Sequence, residues 1–163
     1  MIWLVIGLTI IVISFAFVLL IGAPYLPTLN NQVQDIFKLL DLKPGDLLIE
    51  LGSGDGRILR AAAKRGIRSV GYEVNPLLVL YSWLLSWRYH RLVVIHWKNF
   101  WRVSITAADG IYVFLLDPYM TKLDRKIISE IKKPIKVVSF TFAFPEREPI
   151  KQINGLRLYS FKP

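Results

Sequence analysis

The chain contains no cysteine, which excludes disulfides and thiolate metal sites and fits a reducing compartment. Its two histidines, His90 and His96, have no companion ligands close in sequence, so no zinc centre is expected. Acid is also scarce: 12 Asp and Glu stand against 21 Lys and Arg, for a net charge of +9. That balance suits an anionic partner, either lipid headgroups or nucleic acid, and the sign alone does not choose between them. No internal repeat is evident, and 163 residues suffice for one domain with a modest core.

Charge is absent altogether from Ile2 to Ala23, and no Lys or Arg precedes Lys38. An apolar helix of that length matches a bilayer core of ~30 Å. Trp3 and Tyr25 stand where interfacial aromatics belong, and Pro24 and Pro27 stop the helix. A cleaved signal peptide is the rival, but it wants a basic leading region and a shorter apolar core. The expectation is therefore a membrane anchor over residues 1–23 and a folded domain over 24–163, with the lipid bilayer as a partner. Every cation follows the apolar run, so the positive-inside rule puts the domain in the cytoplasm. A prokaryotic plasma membrane is favoured; the eukaryotic counterpart is the mitochondrial inner membrane.

What the rest of the chain does have is Leu47-Leu48-Ile49-Glu50-Leu51-Gly52-Ser53-Gly54-Asp55-Gly56-Arg57. A short apolar run ends in an acid, and glycines then alternate with small polar residues ahead of an Ala-rich helix. This pattern predicts a buried strand turning sharply into a helix. The glycines let a ligand lie against the backbone, and the helix start offers N–H groups to an anionic part of it. A dinucleotide fingerprint runs G-x-G-x-x-G; here the pattern is G-x-G-x-G with Glu50 before it. A carboxylate at that strand end repels a pyrophosphate and suits an ammonium or sulfonium. One helix later Ser69-Val70-Gly71-Tyr72-Glu73 ends in a second acid, placed to accept ribose hydroxyls. Amino acid at the first carboxylate and ribose at the second outline S-adenosylmethionine.

The remaining pattern alternates strands and helices. Helices are expected to about Leu40, over Gly56–Arg65, from Pro76 to about His90, and from Met120 to Lys132. Strands are expected over Leu47–Leu51, Arg68–Glu73, Leu92–His96, Gly110–Leu116 and Lys136–Phe142, with a short hairpin around Asn154-Gly155. This predicts an α/β, doubly wound, mostly parallel sheet with an antiparallel closing hairpin, shortened at its carboxyl-terminal end. The stretch Leu77–Trp87 is apolar nearly all round, which implies either an unusually greasy packed helix or one covered by a bilayer or membrane partner.

The segments Glu50–Arg57 and Gly71-Tyr72-Glu73-Val74-Asn75-Pro76 resemble the seven-strand S-adenosylmethionine methyltransferases, a Rossmann-like fold. With Pro24-Tyr25-Leu26-Pro27-Thr28, Ala61–Gly66 and Phe142-Ala143-Phe144-Pro145, the chain is similar to the small membrane-anchored protein-lysine methyltransferases that act on the ATP synthase c-subunit and the adenine nucleotide translocase. The resemblance implies that Tyr25 and Thr28 close over the methionine part of the cofactor. Glu50 with Gly52, Ser53 and Gly54 would hold its amino and carboxylate groups, with Asp55 and Gly56 completing the loop. Glu73, followed by Asn75, would take the ribose. Asn99 and Phe100 fall where the family usually has an acid for the adenine amino group; the Asn99 carbonyl can still accept that bond.

Methyl transfer from a sulfonium is an in-line displacement, so alignment and desolvation are the protein's main contributions. Asp117-Pro118-Tyr119 closes the central strand at the end where such sheets bind ligands. Asp117 can position an incoming lysine amine or take its proton, or it can simply cap the next helix; Tyr119 can wall the channel. No metal is implied. Lipid-headgroup or small-molecule amine methylation is the first alternative to a lysine of a membrane or membrane-associated protein. Nucleic acid stands behind both. Asp117-Pro118-Tyr119 resembles the D-P-P-Y motif of enzymes acting on nucleobase amines, but lacks its second proline, and a membrane anchor is odd for such an enzyme. A non-catalytic cofactor-binding module is disfavoured by intact acids at both strand tips.

Overall fold

The computed structural model describes residues 1–9, 12 and 30–163. Residues 2–9 are helical with mostly exposed side chains. Among the described residues no helix is long and apolar enough to cross a membrane. The expectation of a single-pass membrane protein with a cytoplasmic domain is corrected accordingly. Most of the stretch on which it rested lies outside the described residues, as do Tyr25 and Thr28.

The described chain runs α1 (Asn30–Leu40), β1 (Leu47–Leu51), α2 (Arg57–Ala63), β2 (Arg68–Glu73), α3 (Pro76–Ser86) and β3 (Val93–Trp97). It continues through β4 (Gly110–Val113), α4 (Met120–Glu130), β5 (Ile135–Phe140), β6 (Lys151–Ile153) and β7 (Leu156–Phe161). The seven strands form one sheet in the order β3-β2-β1-β4-β5-β7-β6. The first five are parallel, while β7 runs antiparallel to both β5 and β6. The order reverses between β1 and β4, and ligands bind at such switch points, beyond the carboxyl ends of the strands.

Alternation along the buried strands sorts side chains between two layers. Leu48, Tyr112 and Val138 face α1 and α2, together with Ile36, Leu40, Ile58 and Ala62. Ile49, Leu51, Ile111, Val113 and Val137 face α4 through Leu123 and Ile127. A third cluster joins Leu59 of α2 and Val79 of α3 to Val93 and Ile95. Three helices thus share one face and α4 covers the other.

Element boundaries differ from expectation in instructive ways. α3 stops at Ser86 and tightens into a 3-10 turn over Trp87–Tyr89. β4 leaves the sheet after Val113, and a further 3-10 turn, Asp117–Tyr119, holds Pro118 ahead of α4. β5 passes to the closing hairpin with no intervening helix. That hairpin turns at Asn154 and Gly155, both with positive φ (50° and 81°), as a two-residue Asn-Gly turn requires. The Asn154 side chain donates back to Asp35 Oδ2 on α1 at 2.9 Å.

Candidate active site

β1 delivers Glu50 into a loop whose Gly52, Gly54 and Gly56 sit at φ +88°, +52° and +74°, a region that strains any residue carrying a Cβ. The Gly52 and Ser53 amides both donate to the Tyr72 carbonyl at 3.0 Å, and Gly56 N–H donates to Ser53 O at 2.8 Å. Arg57 N–H donates to Asp55 Oδ1 at 3.2 Å. The loop lies hard against β2: a Cβ on Gly71 would stand 2.5 Å from Leu59 Cδ1 and 2.7 Å from Ser53 Cβ. Above Gly52, by contrast, an added Cβ would meet nothing within 4 Å, so space for a ligand opens on that side. Most of the loop amides expected to receive an anion already have partners inside the protein.

Glu73 is one of those partners. Its Oε2 accepts from Gly54 N–H, and its Oε1 accepts from Val74 and Asn75 N–H, all at 2.8 Å. A carboxylate offers about four acceptor sites, so one remains for a ribose hydroxyl. Asn75 Oδ1 then caps α3 by accepting from Leu77 and Leu78 N–H at 2.9 and 3.3 Å. The acid expected to read the ribose therefore also ties the glycine loop to the start of α3.

Glu50 is different. It is buried, and its Oε2 has no hydrogen-bond partner among the described residues. Burial pushes its carboxyl well above the ordinary range, with smaller contributions from the Asp55 and Glu73 charges; Arg60 and Arg57 pull the other way. Those two arginines are themselves engaged with Asp55, at 3.0 Å from Arg57 and 3.6 Å from Arg60. Sequence reasoning missed this brace, although Arg57 and Arg60 stand one helical turn apart immediately after Asp55. A buried carboxylate left without a cation, next to a glycine with open space above it, fits the α-ammonium and sulfonium of S-adenosylmethionine.

On the far side of the switch point the groups are looser. Asn99 Oδ1 accepts from Trp101 N–H at 3.0 Å, which leaves its second lone pair for an adenine amine. Phe100 is buried against Trp101, with ring centroids 4.6 Å apart. Trp101 in turn packs 6.4 Å from Tyr119 and carries Lys122 Nζ 4.4 Å above its ring, an aromatic cluster not foreseen from sequence. Asp117 is exposed and makes no side-chain cap to the turn or to α4. It is thus free of the capping role weighed for it.

Comparison with known proteins agrees with this geometry. Residues 50–151 match the family model described as ANTKMT methyltransferase domain. The chain is 36% identical over 128 residues to the ATP synthase c-subunit lysine N-methyltransferase of Xenopus laevis, covering 77% of this chain and 56% of that protein. It is 36% identical over 134 residues to the adenine nucleotide translocase lysine N-methyltransferase of Mus musculus, covering 80% and 58%. The chain thus spans little more than half the length of these relatives. A protein-lysine N-methyltransferase of Saccharolobus islandicus (strain REY15A) is 31% identical over 140 residues, covering 81% of this chain and 86% of that protein. Among solved structures, an RNA methyltransferase from Salinibacter ruber in complex with S-adenosyl-L-homocysteine superposes with a TM-score of 0.77 at 29% identity, covering 84% and 93%. With a seven-stranded methyltransferase sheet, a donor set suited to S-adenosylmethionine and this match over most of its folded part, the chain belongs to the ANTKMT methyltransferase domain family.

Proposed function

We propose that this protein transfers a methyl group from S-adenosylmethionine to the side-chain amine of a lysine in a protein substrate. The observation that carries the reading is the orphaned, buried Glu50 carboxylate at the tip of β1, in a chain whose relatives are named lysine N-methyltransferases. The bound cofactor supplies an electrophilic methyl on a positively charged sulfur. Glu50 balances the cationic end of that ligand in a site too dry to leave a charge uncompensated. Glu73 offers its remaining acceptor position to the ribose, and Asn99 its remaining lone pair to the adenine. These contacts fix the ligand, so the reaction becomes a matter of where the acceptor nitrogen arrives.

An amine must arrive unprotonated, and a lysine has a reference pKa of ~10.4. Asp117, exposed at the carboxyl end of the central strand, attracts the ammonium form. Passage over the Tyr119–Trp101 pair then strips water from it, which disfavours the charged form, and the released proton leaves by way of Asp117 or solvent. A lysine of the ATP synthase c-subunit or of a nucleotide carrier is the acceptor that the relatives' names suggest. A lipid bilayer beside that acceptor belongs to the same reading.

A second reading is RNA methylation. The Salinibacter ruber structure, its extent of overlap and the net charge of +9 favour it. Incubating the purified protein with radiolabelled cofactor and cell fractions decides. Label in a protein band, released as methyllysine on hydrolysis, supports the first reading. Label confined to RNA installs the second, and label confined to the lipid extract overturns both.

A further inference from the structure

The helix α3 is built inside out. Its buried positions include Ser82 and Ser86, at 0% and 4% exposure, and both hydroxyls lack a partner among the described residues. Small side chains are needed there because the helix presses on the cofactor loop: a Cβ on Gly56 would lie 2.1 Å from Ser82 Oγ. Leu78 and Val79 are buried near its start, but the remaining large apolar residues point the other way. Leu80, Leu84 and Trp87 are 53%, 68% and 77% exposed, and Tyr81 beside them is 52% exposed.

Two tryptophans extend this surface without adding polarity. Trp83 donates its indole N–H to Ile95 O, and Trp97 donates its own to Val74 O, both at 3.0 Å. Trp83 and Trp97 nonetheless remain 50% and 63% exposed. Their polar edges are satisfied inside the protein, so what they show to the outside is apolar ring. A contiguous apolar face of this kind marks a contact surface.

Charge says what the contact is. From Val74 through Ala108 the sequence has no Asp or Glu, while Arg88, Arg91 and Lys98 are exposed at the end of α3 and along β3. None of the three forms an ion pair among the described residues. An occupant must therefore be apolar in its body and anionic at its edge. We propose that the α3 face, with Trp97 and the Arg88–Arg91 rim, rests on the surface of an anionic phospholipid bilayer. The aromatic and leucine side chains enter the headgroup boundary and the cations meet the phosphates. This is a peripheral contact and needs no spanning segment. Because α3 is capped by Asn75, two residues beyond Glu73, it holds the cofactor end of the sheet at the lipid surface.

The test uses the full chain with phosphatidylcholine vesicles, with and without phosphatidylglycerol, some carrying brominated acyl chains. The expected result is binding that needs the anionic lipid and weakens with salt, with quenching of tryptophan fluorescence by bromine that a Trp87→Phe variant reduces. Leu84→Glu, and separately the pair Arg88→Glu and Arg91→Glu, should each lower vesicle affinity roughly tenfold or more. Calorimetry with S-adenosylmethionine should be unchanged in Leu84→Glu, which separates this face from the cofactor site. Unquenched tryptophan fluorescence, or Leu84→Glu binding vesicles like the parent, overturns the proposal. So does a concentration-dependent dimer that Leu84→Glu dissolves while vesicles compete for nothing, since the face would then belong to a second copy.

Discussion

The tips of β1 and β2 differ from the tip of β4. At the first two, almost every polar group is committed: Glu73 takes three backbone N–H groups, Asp55 holds two arginines, and the loop amides donate to Tyr72 O. Among the described residues there, Glu50 Oε2 and Ser53 Oγ are the buried side-chain oxygens left without a partner, and of these only Glu50 can carry a charge. At the tip of β4, Asp117 is exposed and caps nothing, and Tyr119 and Trp101 lean together at a loose 6.4 Å. The cofactor end is finished before any ligand arrives, with one charge held open for it. The acceptor end is completed by whatever protein approaches. A fixed donor and an adaptable acceptor are what a transferase needs when one cofactor serves a macromolecular substrate.

Replacing Glu73 with Ala attacks the wired end most directly. Three N–H groups lose their acceptor, and each buried donor left unmade costs ~1–3 kcal/mol. Urea unfolding should therefore show a loss of at least ~3 kcal/mol, with cofactor binding gone. Glu50→Gln should separate stability from function. Calorimetry should find S-adenosylmethionine bound about 10–100-fold more weakly, as expected for losing a charge-assisted contact of ~1.5–3 kcal/mol. Thermal unfolding should occur at a higher temperature, because a buried unpaired acid is removed.

The same residue sets a pH dependence. The folded-state pKa of Glu50 lies above its ordinary value, chiefly through burial. Its contribution to stability therefore declines as pH rises from the usual carboxylate range towards that raised value, then levels off. Cofactor affinity should run the opposite way, climbing with pH over the same window because the cation needs the ionised form. In Glu50→Gln both slopes should disappear. Gly71→Ala comes next: its Cβ would collide with Ser53 and Leu59, and such overpacking costs ~1–3 kcal/mol. The effect should appear as a lower unfolding midpoint together with weaker cofactor binding. Asp117→Asn should be the mildest, leaving unfolding and cofactor affinity as they were while slowing methyl transfer about tenfold, or ~1.4 kcal/mol in the barrier. A change in affinity there would mean that the two ends are not separate.

The wired end was the more legible of the two in the sequence. Glycines at alternate positions and an acid at each strand tip are local signals, because the backbone and its neighbouring residues impose them. Even so, the multiple duties of Glu73 were hidden, since its partners Gly54 and Asn75 meet it only after β1 and β2 lie side by side. The Trp101–Tyr119–Lys122 cluster joins the turn after β3 to the start of α4, a contact between segments far apart in sequence that no local pattern announces. The shorter β4 reflects lost neighbours beyond Val113, which an apolar run cannot announce. The membrane-spanning expectation rested on hydropathy alone, and among the described residues no helix is long and apolar enough to cross a bilayer.

The Asn154–Asp35 hydrogen bond joins positions 119 residues apart, and α1 packs on β5 and β7 through Val138, Leu156 and Leu158. During synthesis α1 therefore emerges long before the surface that receives it exists. Its greasy face must wait, shielded by a chaperone or by transient collapse, until translation has released the final hairpin. The sheet is consequently closed by strands made long after α1, and the speed of that docking step sets how long the α1 face is open to aggregation and proteolysis.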